Sequence, residues 1–338
     1  MSIERKREHI ENYLKICGSG DPLYSDIFIE HNALPDTAFF EISTETDFLG
    51  RRVSFPLMIN AMTGGPEEAY GINRDLALLS KKYGLPMAVG SESVAFGATD
   101  EIKASFKVAR EIIEDGILIG NINAKKPLEE VLEAISLIDA DAIELHLNPL
   151  HELVMEEGDR DFRGIGENIC EIVKKSPVPV IVKEVGFGLS GSVVSRLSEY
   201  GVEIVDIAGS GGTNFVEIED LRFGNYGYDE LRGVGNPGAY ATITSRKAAP
   251  SLYIIGSGGI RTALDLVKSL VIGSDLTSIS GEILSYLLYG SYDNADNYLE
   301  SIVYKTRLIM CALGAKNISE LRKIPYRVTG RLRELMYD

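Results

Sequence analysis

Gly256-Ser257-Gly258-Gly259-Ile260-Arg261-Thr262 lies between an apolar run of strand type, Leu252-Tyr253-Ile254-Ile255, and a segment with helical spacing over 263–270. Glycines let a backbone come close to an anion, and the first turn of a helix aims free N–H groups and a positive dipole end at it. A second junction of the same kind follows, Leu276-Thr277-Ser278-Ile279-Ser280-Gly281, and then an apolar helix over 282–288. A single Gly-rich turn is weak, because it serves equally well as a tight connection. Two in tandem, late in an alternating β/α chain, are what a phosphate site at the mouth of a parallel barrel needs.

Working outward, similar apolar runs recur at 56–60, 86–89, 117–120, 142–146, 178–183 and 204–207, which with 252–255 and 276–280 makes eight. Amphipathic segments separate them, for example 129–138 and 192–200. Continuous apolar strands alternating with helices imply parallel strands covered on their outer face, and eight of them suggest an α/β fold closed as a TIM (β/α)8 barrel. No GxGxxG follows the first strand, which argues against an open dinucleotide-binding sheet. No low-complexity linker divides the 338 residues, so a single domain is expected. It comprises an N-terminal arm and extension over 1–50, a barrel over 56–290 and C-terminal helices over 291–338.

Charge sets the ligand problem. With 34 Lys and Arg against 50 Asp and Glu, the chain carries a formal charge of −16, which opposes nucleic acid and anionic membranes as partners. A phosphorylated ligand therefore needs a local basic site, and the Arg5-Lys6-Arg7-Glu8-His9 cluster on the helix expected over 3–16 is one candidate; an ordinary solvated helix face is the other. Cys17, Cys170 and Cys311 have neither metal-motif nor disulfide-framework spacing, and no apolar run is long enough for a signal peptide or membrane span. A cytoplasmic protein is expected.

In a barrel of this class function sits at the C-terminal ends of the strands. The first strand ends at Ala61-Met62-Thr63-Gly64-Gly65-Pro66, the second at Gly90-Ser91-Glu92-Ser93 and the third at Asn121. The fourth ends at His146-Leu147-Asn148-Pro149-Leu150-His151-Glu152, the fifth at Lys183-Glu184 and the sixth at Ser210-Gly211-Gly212-Thr213. Small hydrogen-bonding groups (Thr63, Ser91, Asn121, Thr213) around one lysine suit a flat heterocycle edged with carbonyls and ring nitrogens. With the glycine turns that makes a heterocycle on a phosphate tail, which FMN matches. A core ion pair between Lys183 and a carboxylate such as Glu184 is the plainer alternative for that lysine.

These residues resemble the type 2 isopentenyl-diphosphate isomerases, FMN-dependent barrel enzymes, over nearly the whole chain. The resemblance runs through Arg5-Lys6 with His9, His31-Asn32-Ala33-Leu34-Pro35, Met62-Thr63-Gly64-Gly65, Gly120-Asn121, His146-Leu147-Asn148 with Glu152, 182–188 (VKEVGFG), Gly211-Gly212-Thr213 and Ser257-Gly258-Gly259-Ile260-Arg261. It implies conversion of isopentenyl to dimethylallyl diphosphate in isoprenoid biosynthesis, with reduced FMN, Mg²⁺ and NADPH as reductant, in a homo-oligomer of four or more chains. Residue by residue, it implies FMN contacts from Ala61, Met62, Thr63, Ser91, Asn121, Lys183, Thr213, Gly258, Gly259, Arg261, Ser280 and Gly281. Arg5, Lys6, His146, Asn148 and His151 would hold the diphosphate substrate, His146, His151 and Lys183 would take the catalytic positions, and Glu152 would bind the metal.

Three departures stand out. His151 replaces the Gln that usually precedes the metal-binding Glu, Ser93 stands where many members carry Arg, and no Trp precedes Gly235. The first two keep open a weakly active or non-catalytic flavin-binding relative, and the glycine cradle by itself would equally allow an FMN oxidoreductase of the hydroxy-acid oxidase kind. The oxidase chemistry wants a His base and an Arg clamp near the sixth strand, where this chain has only Ser, Gly and Thr. An IMP-dehydrogenase-like site would need a Cys in a Gly-Ser loop. His146, His151 and Glu152 lack HExxH spacing and an evident third ligand, which argues against a transition-metal site.

Overall fold

The structure is a computed structural model that describes residues 3–16, 20–65, 67–223 and 227–337; Cys17 and Pro66 lie outside them. Eight parallel strands close into a barrel: β1 (Leu57–Ile59), β2 (Met87–Ala88), β3 (Leu118–Asn123), β4 (Ala142–His146), β5 (Val180–Lys183), β6 (Ile204–Asp206), β7 (Tyr253–Gly256) and β8 (Leu276–Ile279). Each matches one of the eight apolar runs. Closure is made by β8 against β1, with Thr277, Ser278 and Ile279 beside Leu57, Met58 and Ile59.

The runs are continuously apolar because both faces of each strand are buried. On one face Leu57, Ile59, Val180, Val182 and Ile254 pack with the surrounding helices in the main core. On the other, Met58, Ala88, Ile119, Ala142, Ile181, Ile255 and Leu276 form a separate apolar plug inside the barrel. The hairpin of Thr46–Phe48 with Arg51–Val53 closes the plug from below, with Phe48 and Val53 buried in it. Side chains alternate along a strand, so the residue two positions after each plug residue faces the barrel mouth. Those residues are Asn60, Gly90, Asn121, Glu144, Lys183, Ser257 and Ser278: the apolar floor gives way in a single step to a polar layer.

The helix Ile3–Ile16 lies against the helix Phe215–Phe223 that follows β6. Its Lys6, His9, Ile10 and Tyr13, spaced i, i+3, i+4 and i+7, line the cavity at the barrel mouth, so one face of this helix roofs the site. At the other end of the chain the helix Tyr292–Leu313 packs on the helix Ala263–Ile272. The extensions also carry strand: Ile27–Ile29 pairs antiparallel with Tyr326–Val328, which joins the two ends of the chain. The apolar helix expected over 282–288 is Gly281–Ser285 followed by a π-helical turn, Tyr286–Gly290. Cys170 and Cys311 are free thiols.

Candidate active site

The strand ends and the roofing helix enclose a cavity of about 230 Å³. Ala61, Met62, Thr63, Ser91, Asn121, His146, Asn148, His151, Lys183, Thr213, Gly258, Gly259, Arg261, Ser280, Gly281 and Lys6 all line it. Arg5 and Glu152 do not. Arg5 is buried beneath the helix, 3.3 Å from Glu157 and 3.5 Å from the Met155 sulfur. Glu152 accepts from Asn148 Nδ2 at 2.9 Å and from the Asp159 amide at 2.9 Å, so it touches the cavity through Asn148.

One end of the cavity is built from backbone. Gly258 and Gly259 both have φ +86°, and a Cβ on Gly258 would sit 1.9 Å from the Gly209 oxygen, so β6 and β7 can meet this closely only with glycine there. Among the described residues no protein acceptor takes the amides of Gly258, Gly259, Ser280 or Gly281. The helix that follows β7 does not bring its first turn to the cavity, as its sequence had suggested: none of residues 262–265 lines it. Thr262 Oγ1 caps the Asp265 amide at 3.1 Å, while Asp265 Oδ2 takes the amides of Thr262 at 3.0 Å and Arg261 at 3.3 Å. The unpaired donors that face the cavity are therefore the glycine amides upstream of the helix. Arg261 pins the turn, donating to the Gly211 and Gly20 carbonyls.

The polar layer turns on Asn121. Its Nδ2 donates to Glu144 at 2.7 Å, its backbone amide donates to Glu92 at 2.9 Å, and its Oδ1 faces His146 Nδ1 at 2.8 Å. With Oδ1 as acceptor, His146 carries its proton on Nδ1 and presents a bare Nε2. Burial, helped by the charge of Lys183, lowers His146 to about 3, so the ring is neutral at ordinary pH. Burial pushes Glu144 up to about 7 and Glu92 up to about 8. Among the described residues, one oxygen of each carboxylate and the hydroxyl of Thr63 have no hydrogen-bond partner. Neither Glu92 nor Glu144 was singled out in the sequence, although Glu144 follows the plug residue Ala142 by two.

Lys183 does not pair with Glu184 side chain to side chain. Its Nζ donates to the Glu184 backbone oxygen at 2.8 Å, while the Glu184 carboxylate gathers the amides of Val185, Gly186, Phe187 and Gly188 and shapes the turn after β5. The ammonium belongs to the cavity rather than to a core ion pair.

The roofing helix brings cations over the other end. Lys6 Nζ donates to the carbonyls of Gly64 and Ser91, each at 2.6 Å, and so joins the turns after β1 and β2. Burial lowers Lys6 to about 7 against the pull of Glu92. Arg5 and Lys6 are each only 7% exposed, which excludes a solvated face for them; Arg7 is the exposed member, paired with Glu11 and Glu68. Arg7 thus does not stand in for the cation missing at Ser93.

His151 lies with two residues that its sequence position did not suggest. Glu219 Oε1 is 3.1 Å from His151 Nε2 and 2.6 Å from His9 Nε2. Phe215 stacks on the His151 ring at 4.0 Å. His146 and Glu152, whose spacing with His151 already argued against a shared transition-metal site, are held by Asn121 and Asn148.

Comparison with known proteins places this geometry. Residues 166–326 match the family model of FMN-dependent dehydrogenases. In overall shape the chain is similar to a lactate oxidase of Pediococcus acidilactici, with a TM-score of 0.71 over 97% of this chain and 94% of that one; at 15% identity that shows the fold alone. In sequence it is 38% identical to an isopentenyl-diphosphate delta-isomerase of Geobacillus sp. (strain WCH70) over 97% of this chain and 93% of the relative. It is 39% identical to the Listeria innocua protein of the same name over 97% and 92%. Identity at this level, over almost the full length of both chains, makes this protein a member of the isopentenyl-diphosphate delta-isomerase family.

Proposed function

We propose that the chain interconverts isopentenyl and dimethylallyl diphosphate, with FMN in the barrel mouth and Mg²⁺ on the diphosphate. The carrying observation is that a single cavity joins unpaired glycine amides at one end to Lys6, Asn148 and His151 at the other. Two anionic groups can be held there with a polar layer between them.

The residues fit FMN. The amides of Gly258, Gly259, Ser280 and Gly281 would take its phosphate, which explains why those positions have no Cβ or no protein partner. Ala61, Met62, Thr63, Ser91, Asn121 and Thr213 would border the ring, and the unpartnered Thr63 hydroxyl is a ready hydrogen bond. Reduced FMN, when bound, supplies ring positions that give and take protons with no net redox change. Lys183 would favour an electron-rich ring by its charge. His146 presents an acceptor nitrogen, so while neutral it orients a donor on flavin or substrate rather than donating to a phosphate.

Mg²⁺ fits at Glu152, each of whose oxygens keeps a second lone pair beyond the bonds to Asn148 and Asp159. It would neutralise diphosphate charge there, as one carboxylate, phosphate oxygens and water commonly allow. Lys6 would hold the diphosphate directly, and Arg5 would join it on release from Glu157. The apolar and aromatic wall of Ile10, Phe215, Ile218 and Leu284 would keep water from the alkene. NADPH as reductant, cytoplasmic residence and assembly of four or more chains complete the proposal. Among the described residues no helix is long and apolar enough to cross a membrane.

The test is anaerobic incubation of the full-length protein with isopentenyl diphosphate, FMN, Mg²⁺ and NADPH, followed by NMR. Dimethylallyl diphosphate forming without stoichiometric NADPH consumption supports the proposal. No product from flavin-loaded protein refutes it, and flavin reduction by a 2-hydroxy acid would assign the site to oxidase chemistry.

A further inference from the structure

We infer that His9, His151 and Glu219 form a binding site for a divalent transition-metal ion of the zinc class. Each offers one ligand atom, and the three atoms lie within 4.8 Å of one another. His9 comes from the roofing helix, His151 from the short helix Pro149–Val154 after β4, and Glu219 from the helix Phe215–Phe223 after β6. The inference does not rest on the isomerase reading, since it needs neither flavin nor substrate.

The donor chemistry selects the ion. Two imidazole nitrogens and one carboxylate oxygen suit Zn²⁺ or Co²⁺, whereas Mg²⁺ prefers an all-oxygen shell. In tetrahedral sites with bonds of about 2.0–2.1 Å, ligand atoms stand roughly 3.3 Å apart. The separations from Glu219 Oε1, 2.6 Å to His9 and 3.1 Å to His151, open by tenths of an ångström, while the two histidine nitrogens, within 4.8 Å of each other, close toward that spacing. His9 and His151 both line the cavity, which leaves the fourth position to water or an anionic oxygen.

The surroundings hold the ligands in place. Arg222 Nη1 grips Glu219 Oε2 at 2.5 Å and leaves Oε1 toward the imidazoles. Arg222 is itself held by Glu8 at 2.7 Å and Glu157 at 3.4 Å, so its charge is largely balanced. Phe215 fixes both rings, stacked on His151 at 4.0 Å and edge-on to His9 at 5.6 Å. Burial works against the Glu219 anion, yet its bonds to His151 and His9 hold it well below the usual carboxylate range. An ion here would tie the roofing helix to two barrel loops at once.

The test uses full-length protein stripped with chelator, titrated calorimetrically with Zn²⁺ and spectroscopically with Co²⁺. The expected result is one ion per chain, visible Co²⁺ ligand-field bands, and protection of residues 3–16 from protease on loading. His151→Gln and His9→Gln should each weaken Zn²⁺ by more than about 100-fold, beyond the loss typical of an outer-shell partner. Unchanged metal-free melting temperatures would show that both variants fold. Glu152→Gln should leave Zn²⁺ affinity unaltered. Absence of stoichiometric binding, binding indifferent to both histidine changes, or binding lost with Glu152 would each overturn the site.

Discussion

Replacing Gly258 with alanine tests the phosphate end of the cavity. The new Cβ would stand 1.9 Å from the Gly209 oxygen and 2.3 Å from its nitrogen, at a backbone φ of +86°. An ordinary C···O contact is about 3.3–3.6 Å, so the turns after β6 and β7 must part by more than 1 Å. The positive φ adds roughly 1–2 kcal/mol for an L-residue. A displacement of that size carries the Gly258 and Gly259 amides out of the ~2.7–3.2 Å range of an N–H···O bond. Hydrogen bonds to a charged group are worth about 1.5–3 kcal/mol each, so losing both costs about 3–6 kcal/mol, a drop in FMN affinity of roughly 10²- to 10⁴-fold. The assay is flavin fluorescence quenching with FMN and with riboflavin, which lacks the phosphate. The parent should prefer FMN strongly, and the variant should lose most of that preference while riboflavin binding changes little. Gly50→Ala is the control: its φ is +72° but nothing lies within 4 Å of the added carbon, so FMN affinity should hold. FMN binding by Gly258→Ala at parental strength, or riboflavin falling as far as FMN, would refute the cradle.

The other predictions concern charge. Lys6 is lowered to about 7, so above that pH a diphosphate must draw a proton onto it. Pyrophosphate affinity should then fall by about tenfold per pH unit above 7, with calorimetric proton uptake that Lys6→Met removes; an unsloped profile in the parent contradicts the contact. Glu92 is raised to about 8 from an ordinary value of 4.5, so the folded state holds a proton that the unfolded state releases between those pH values. Stability lost to this group grows as pH rises through that window. Glu92→Gln should thus be near neutral at pH 4.5 and stabilise by on the order of 4 kcal/mol at pH 8, read as a melting-temperature gain that increases with pH; a pH-independent gain would place the carboxyl in water. Glu152→Gln should raise the Mg²⁺ concentration needed for half-maximal turnover by at least the roughly 10–100-fold typical of an outer-shell partner while FMN affinity stays constant, and an unchanged Mg²⁺ requirement would remove Glu152 from the metal.

The barrel was legible because eight buried strands cannot avoid being apolar on both faces, and the two glycine turns were legible because their geometry demands glycine. Glu144, Asn60 and Ser278 were just as accessible in principle: each follows a plug residue (Ala142, Met58, Leu276) by two positions. Finding them requires knowing which of two apolar faces points inward, and a run apolar on both faces hides that. Glu219 left no signal of its own. It sits in the helix Phe215–Phe223, and only the docking of the roofing helix and the loop after β4 turns it into a partner for two histidines. Glu92, a buried carboxylate in a four-residue polar stretch, reads in sequence like any loop acid. The capping box at Thr262 and Asp265 was written in the sequence as T-x-x-D, and it shows that a helix start after a glycine turn need not aim its own amides at the ligand.

The roofing helix decides what kind of site this is. The glycine amides belong to the barrel, fixed by contacts between the turns after β6 and β7 that leave no room for a side chain. Lys6 and His9 belong to a single helix whose cavity-facing stripe runs Lys6, His9, Ile10, Tyr13, a span of about 10 Å at 1.5 Å per residue. Its near end bonds the turns after β1 and β2, its middle meets Glu219 after β6, and at its far end the Tyr13 ring covers Gly281 after β8. A barrel without this helix would keep the donors for one phosphate and lose Lys6 and His9 from the other end. The helix in turn keeps its polar stripe buried only because barrel carbonyls and Glu219 accept from it. In a chain of formal charge −16, the basic side chains of the roof are thus gathered on one element and held against the mouth by the barrel's own acceptors, so on the proposed reading docking of the helix would also complete the diphosphate end.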